Sequence, residues 1–252
     1  MAYHDSTTAS GANQTPAVAV PNAGGASPLA ADDIVILVAT TDSVDAVFDT
    51  ADWPTGFTEL GEVNLTGDGQ SVAVGWKRLT GADTGSYTFG NLGGGATPDW
   101  VCQAYSFRGR HATDPPVIST IATNNNANTS PVSVTANGVT AVAGDDLLMI
   151  SAPDVRAVSI GNGHAAPTDY LEKEDAENAW TNLAGFTREN VSVGATGNIT
   201  ATLSLSAADG SGWAAILVRI PAADAGGDPI RLRFPVAMDG TGGGMVGGSR
   251  VH

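Results

Sequence analysis

The phrase DDIVILVAT starts at Asp32, and DDLLMISAP starts at Asp145. A pair of acidic residues followed by an apolar run of strand length thus recurs 113 residues on. At the same spacing Pro54, Thr55, Phe57 and Glu59 meet Pro167, Thr168, Tyr170 and Glu172, and Trp100 meets Trp213. Gly75-Trp76-Lys77-Arg78 meets Gly185-Phe186-Thr187-Arg188 at 110, Thr84-Gly85 meets Thr196-Gly197 at 112, and Val18 and Val20 meet Val132 and Val134 at 114. Segments that recur in one order at nearly one spacing predict an internal duplication. The period is far too long for a solenoid repeat and predicts two related units.

Each unit reads as strand and turn. Val72, Val74 and Trp76 alternate with polar or small residues, as do Ile199, Ala201, Leu203 and Leu205. That period of two marks strands with one buried face. Ile34 to Ala39 is continuously apolar, which predicts a central strand covered on both faces. Asp68-Gly69, Asn137-Gly138 and Asp209-Gly210 are turn signals between such runs. Glycine occurs 32 times, while the only lysines are Lys77 and Lys173, a composition poor in helix formers. The predicted fold is all-β, a jelly-roll-like antiparallel β-sandwich built from two duplicated halves, with a glycine-rich C-terminal extension. The predicted divisions are a first repeat over 1–117, a polar linker over 118–131, a second repeat over 132–221 and an assembly tail over 222–252. The apolar runs favour one fused core. By analogy with the first copy, 168–186 reads as strand, acidic loop, strand, with a helical turn at Asp175 to Ala179 as the alternative.

Charge narrows the partners. Twenty-six acidic residues against 11 basic ones give a formal charge of −15. A chain without a basic stripe lacks the footprint for nucleic acid or anionic lipid. No apolar stretch is long enough to span a membrane. MAYHDSTTASGANQTP has no basic or apolar segment of a secretory signal, so synthesis in a cytoplasm is expected. Cys102, the single cysteine, reads as a small buried hydrophobe and excludes an intrachain disulfide.

No catalytic, cofactor or metal residue is expected. Gly242 to Gly247 fits a dinucleotide pattern but lacks the strand and helix that give the pattern meaning. His4, His111, His164 and His252 stand at no metal-ligand spacing. Glu172, Glu174, Asp175 and Glu177 read as a solvated acidic face, with calcium binding as the alternative. Asp32-Asp33 and Asp145-Asp146 are expected to satisfy turn amides. Trp53, Tyr170 and Trp180 are the candidates for stacking on a glycan, against a reading of local core packing.

The series ADDIVILVAT, WPTGFTELGE, SVAVGWKRLTGADTGSYTF and DWVCQAYSFRG resembles a loose group of bacteriophage virion proteins, the minor tail, tail-fibre-associated and head-decoration components. The resemblance covers about residues 10–221 and both copies. Copy two departs from it with Asp169 where copy one has Gly56, and with Arg219-Ile220-Pro221 where copy one has Phe107-Arg108-Gly109. It implies a β-sandwich, association with a virion, and no catalytic residues. The expected function is therefore non-enzymatic: a virion structural protein, made in the host cytoplasm, that acts through assembly with other virion proteins and as a homo-oligomer. The alternative is a host-recognition adhesin module that binds a surface glycan. Residues 222–252 have no counterpart in the first copy and bury too little alone to order themselves. A neighbouring subunit is their expected partner, with Phe234, Met238, Met245 and Val246 as the candidate contacts.

Overall fold

A computed structural model describes residues 3–21, 28–43, 48, 52–65, 69–91, 98–125, 131–155, 164–178, 181–203 and 210–223. The fold is all-β, with no helix among these residues. The first seven strands are β1 (Tyr3–Ala12), β2 (Ala17–Ala19), β3 (Ile34–Thr41), β4 (Thr58–Leu65), β5 (Gln70–Arg78), β6 (Ser86–Thr88) and β7 (Asp99–Phe107). They form an antiparallel sheet in the order β1-β7-β3-β5-β4 and a small β2-β6 sheet. There follow β8 (Val117–Ile118), β9 (Ala122–Asn124), β10 (Val132–Ala136), β11 (Thr140–Ala141), β12 (Asp146–Val155), β13 (His164–Ala165), β14 (Leu171–Asn178), β15 (Thr181–Arg188), β16 (Gly194–Ala195), β17 (Ile199–Leu203) and β18 (Gly210–Ile220). Their large sheet runs β14-β15-β12-β18-β8, with β9 also on β18, and their small sheets are β10-β17-β13 and β11-β16.

All eight residues of β3 are buried. Val35, Leu37 and Ala39 pack towards the β2-β6 sheet with Val18, Tyr87 and Trp100. Ile34, Ile36 and Val38 point the other way, into a cluster shared with Leu148, Ile150 and Ala152 of β12. On β12, Leu147 and Met149 turn outward to Val132, Val134, Ala201 and Leu203 of the second small sheet. The layers are therefore small sheet, large sheet, large sheet, small sheet. A strand buried on both faces has no polar face to show, which is why these runs are continuously apolar. The expected single core resolves into three clusters, with the middle one shared by both large sheets.

The same local devices occur twice. The Asp33 carboxylate accepts the Ala30 N–H at 2.9 Å, and the Asp145 carboxylate accepts the Val142 N–H at 2.7 Å. The residue before each aspartate is left-handed, Asp32 at φ 70° and Gly144 at φ 87°. β4 bulges between Glu59 and Gly61 against β5, and β14 bulges between Glu172 and Glu174 against β15. Gly56 (φ 85°) and Asp169 (φ 67°) occupy the same turn, where Phe57 N–H bonds Pro54 O and Tyr170 N–H bonds Pro167 O. The hydrogen bonds match Asp33 with Asp145 and Ile34 with Asp146, a one-residue correction to the sequence match of Ile34 with Leu147. A slip of one residue in a strand exchanges its faces, so Ile34 corresponds to Asp146 and Ile36 to Leu148. On β18 the register likewise sets Phe107 against Ile220, since Ile34 pairs with the first and Asp146 with the second.

Two expectations change. Residues 118–131 are not simply a polar linker, because Val117–Ile118 and Ala122–Asn124 are edge strands on β18. The acidic run is not a loop either: Leu171–Asn178 is an edge strand paired along β15. Glu172 and Glu177 on this edge strand remain exposed, while Glu174 and Asp175 are partly buried against Ser6 and His164, so the run is only in part a solvated acidic face.

Large rings fill the space that glycines leave. A Cβ on Gly75 would lie 2.5 Å from Trp53 Cζ3, whereas at the matching place on β15 the chain carries Phe186. Gly75→Ala is thus expected to overpack the first outer core by about 1–3 kcal/mol. Thermal unfolding should show a fall of several degrees in Tm, and an unchanged Tm would refute the contact.

Candidate assembly site

A cluster of charged residues lies where the end of the first large sheet meets Pro221 and Ala222. β7 ends at Phe107, and the chain turns through Arg108 and Arg110 before β8. Arg108 grips the buried Asp33, with Nη2 at 3.0 Å and Nε at 3.2 Å from Oδ2. Arg110 reaches across to the second half. Its Nη1 lies 3.2 Å from Asp146 Oδ2 and donates to Gly144 O, also at 3.2 Å. This ion pair is inside the protein, with side chains 5% and 0% exposed.

Asp145 ties the last described residues to the same place. Its Oδ1 accepts the Ala222 N–H at 2.9 Å while Oδ2 accepts that of Val142. Arg219 Nε stands 3.5 Å from Oδ2, His111 N–H bonds Pro221 O, and Arg110 and Ala222 form a β-bridge. The chain that continues into residues 224–252 therefore leaves from a fixed, charge-paired point. Beside that point Val142 and Val193 are 54% and 72% exposed. They follow the last rung of the β11–β16 ladder, Ala141 with Gly194. Together the anchored Ala222 and the two valines make a surface with a peptide exit and an apolar lip.

Burial pushes the Asp146 carboxyl up to about 6, and the Asn190 N–H and the Arg110 charge oppose the rise. Glu172 and Glu174 on the acidic edge strand also rise, through burial first. The Asp175 charge adds to the shift of Glu172, and the hydrogen bond from Ser6 opposes that of Glu174.

The proposed glycan platforms are placed otherwise. Trp53 is 6% exposed and sits among Phe48, Phe57 and Phe89, its Nε1–H donating to Glu59. Tyr170 is 5% exposed in the second outer core, and burial pushes its hydroxyl up to about 12. Neither ring has a free face, so both are corrected to core packing. Trp180, Phe234, Met238, Met245 and Val246 lie outside the described residues. Cys102 is fully buried, and burial raises its thiol.

Elsewhere, His164 Nδ1 lies 3.1 Å from Asp175 Oδ1 under Phe186. A shallow depression over the β2-β6 sheet holds the Lys77–Asp83 pair at 2.7 Å, with the Tyr87 hydroxyl donating to Asp83 at 3.2 Å. No group of three or more His, Cys, Asp or Glu among the described residues is placed to hold a metal ion. Neither Arg108 nor Arg110 stands in a motif that marks a functional residue. The available signal was their position: in a chain with few cations, Arg108, Arg110 and Arg219 all stand at the ends of closing strands, on the side of the aspartate pairs. Comparison with known proteins returned no matching family model, no matching curated protein and no matching solved structure.

Arg110→Met leaves the Asp146 charge buried without its partner, a loss on the order of 3–5 kcal/mol in chemical denaturation. The pH effect has a definite sign. An acid whose folded pKa lies above its ordinary value holds its proton longer in the folded state, so stability falls as pH rises through the window. For Asp146 that window runs from about 4, the ordinary carboxylate range, to about 6. Unfolding midpoints from pH 4.5 to 7 should drop more in the native protein than in Asp146→Asn, and parallel curves would refute the assignment.

Proposed function

We propose that the chain is a tandem duplication of one β-sandwich unit and serves as a non-enzymatic structural component of a bacteriophage virion, on the tail or the capsid surface. In this reading each unit is a sandwich of its own, and the fold is their stack rather than one jelly roll wound from both halves. The repeated strand order, the paired aspartate turns and the two matching bulges support the duplication. The motif pattern resembling phage virion β modules supplies the class of particle.

The observation that carries the assembly mechanism is the anchoring of Ala222 by the buried Asp145 carboxylate. A fixed root lets the following segment reach a neighbouring subunit from a defined place, which reduces the ordering entropy of binding. The acidic edge strand Leu171–Asn178 opposes uncontrolled edge-to-edge pairing, so contacts are directed to the exit and its apolar lip. The partners in this reading are other virion proteins and further copies of the chain.

Light scattering on a sizing column tests the mechanism, comparing the full chain with a version that ends at Ala223. The stop must follow Ala222, because a stop at Pro221 removes the bond to Asp145. The expected result is a discrete oligomer that dissociates on truncation, together with detection of the protein in purified particles by mass spectrometry. A monomer in both forms, or absence from particles, would overturn the reading.

A further inference from the structure

The two large sheets meet in a way that repeats itself under exchange of the halves. β1 lies along β14, and β8 lies along β4. β1 and β8 hold the same place in their sheets, beside β7 and β18, and β14 and β4 hold the opposite edges. Two surfaces that contact each other in this reciprocal way have the pattern of a two-fold interface.

Particular residues follow the rule. Tyr105 pairs with Ser6 and Ile36, while Val218 pairs with Ile118 and Leu148, so Tyr105 corresponds to Val218 and Ser6 to Ile118. Val74 pairs with Gly61 and Val38, while Gly185 pairs with Glu174 and Ile150, so Val74 corresponds to Gly185 and Gly61 to Glu174. The contacts match in place. Ser6 Oγ donates to Glu174 Oε1 at 2.6 Å, and at the related position Ile118 Cδ1 lies 2.8 Å from where a Cβ of Gly61 would stand. They do not match in chemistry. One is a hydrogen bond to a carboxylate, and the other is an apolar side chain over a glycine.

The second position repeats the asymmetry. The Tyr105 ring fills the space over Gly185, where any side chain would collide with its hydroxyl. That hydroxyl donates to Gln103, whose Nε2 donates to Leu183 O at 2.7 Å, a buried polar link from one sheet to the other. The related pair is Val218 with Val74, both in the shared cluster. We infer that the inner faces of the two halves are a mutually specific pair, related by a pseudo-two-fold axis, each built to accept the other half and to reject a copy of itself. Two first halves would set Tyr105 against Val74 and Ser6 against a glycine. Two second halves would set Ile118 against the Glu174 carboxylate and leave a void over Gly185. Both wrong pairings carry a clash or an unmatched polar group, which is how a surface selects between similar partners.

The inference rests on the duplication proposed above but not on the virion role, and its test involves no particle. The full chain carries two mutant cycles read by thermal unfolding. Ser6→Ile places an apolar side chain on a carboxylate, and Glu174→Gly added to it recreates the Ile118–Gly61 pair. Gly185→Val collides with Tyr105, and Tyr105→Val added to it recreates the Val218–Val74 pair. Each double variant is expected to unfold at a higher temperature than the sum of the two single shifts allows, by at least about 3 °C. For Gly185→Val, recovery of soluble protein in the double variant serves if the single fails to fold. Additive shifts in both cycles would overturn the inference. The fourfold variant, whose related contacts are then alike, should give more discrete chain-to-chain oligomers than the native protein after refolding at high concentration. Identical oligomer distributions on a light-scattering column would count against self-rejection.

Discussion

Two central strands that are buried on both faces govern this molecule. β3 is buried along its whole length, and every described side chain of β12 is buried as well. A sheet with such a strand at its centre cannot stop at a two-layer sandwich, because its second face would remain in water. Each fully buried Val, Leu or Ile side chain is worth about 1.5–3 kcal/mol relative to exposure. Closing the inner faces on each other and capping the outer faces with small sheets satisfies both demands. The four-layer order, the shared middle cluster and the close fit of Tyr105 over Gly185 all follow from that one requirement.

Polar groups then collect where layers end. The strands of the large sheets start from turns whose amides need acceptors, and Asp33 and Asp145 provide them from buried positions. Buried carboxylates need cations, which come from Arg108, Arg110 and Arg219 at the ends of the closing strands. The connection between halves and the departure of the C-terminal segment thereby share one charged knot. Its cost in desolvation appears in the raised Asp146 pKa, and its return is a fixed geometry at the exit rather than net stability.

Much of this could be read beforehand. The alternation of Ile199, Ala201 and Leu203 marks β17, and the unbroken apolar run marks β3, whereas β5, whose alternation predicts one solvated face, is buried on both faces from Gln70 to Gly75. The expectation that the aspartate pairs serve turn amides holds for Asp33 in the first pair and for both Asp145 and Asp146 in the second. The misreadings have physical causes. Val117–Ile118 and Ala122–Asn124 are too short to show periodicity, and they become strands only because β18 offers an unpaired edge. The acidic run looked like a loop because side chains on an edge strand carry little of the apolar signal. Trp53 stood in a polar context, yet its ring goes to the space that Gly75 leaves across the fold.

The sequence by itself determined the all-β class, the strand-and-turn rhythm and the net acidic charge, because these depend on local conformational preference and on composition. Tertiary structure decided which face of each strand points inward, since a single residue of register, 113 against 112, exchanges the two. It also decided that the halves meet back to back, that Arg110 crosses from one to the other, and that Tyr105 rather than Val218 takes the glycine. Those outcomes belong to contacts between residues far apart in the chain, and such contacts leave no periodicity or motif in the line of amino acids.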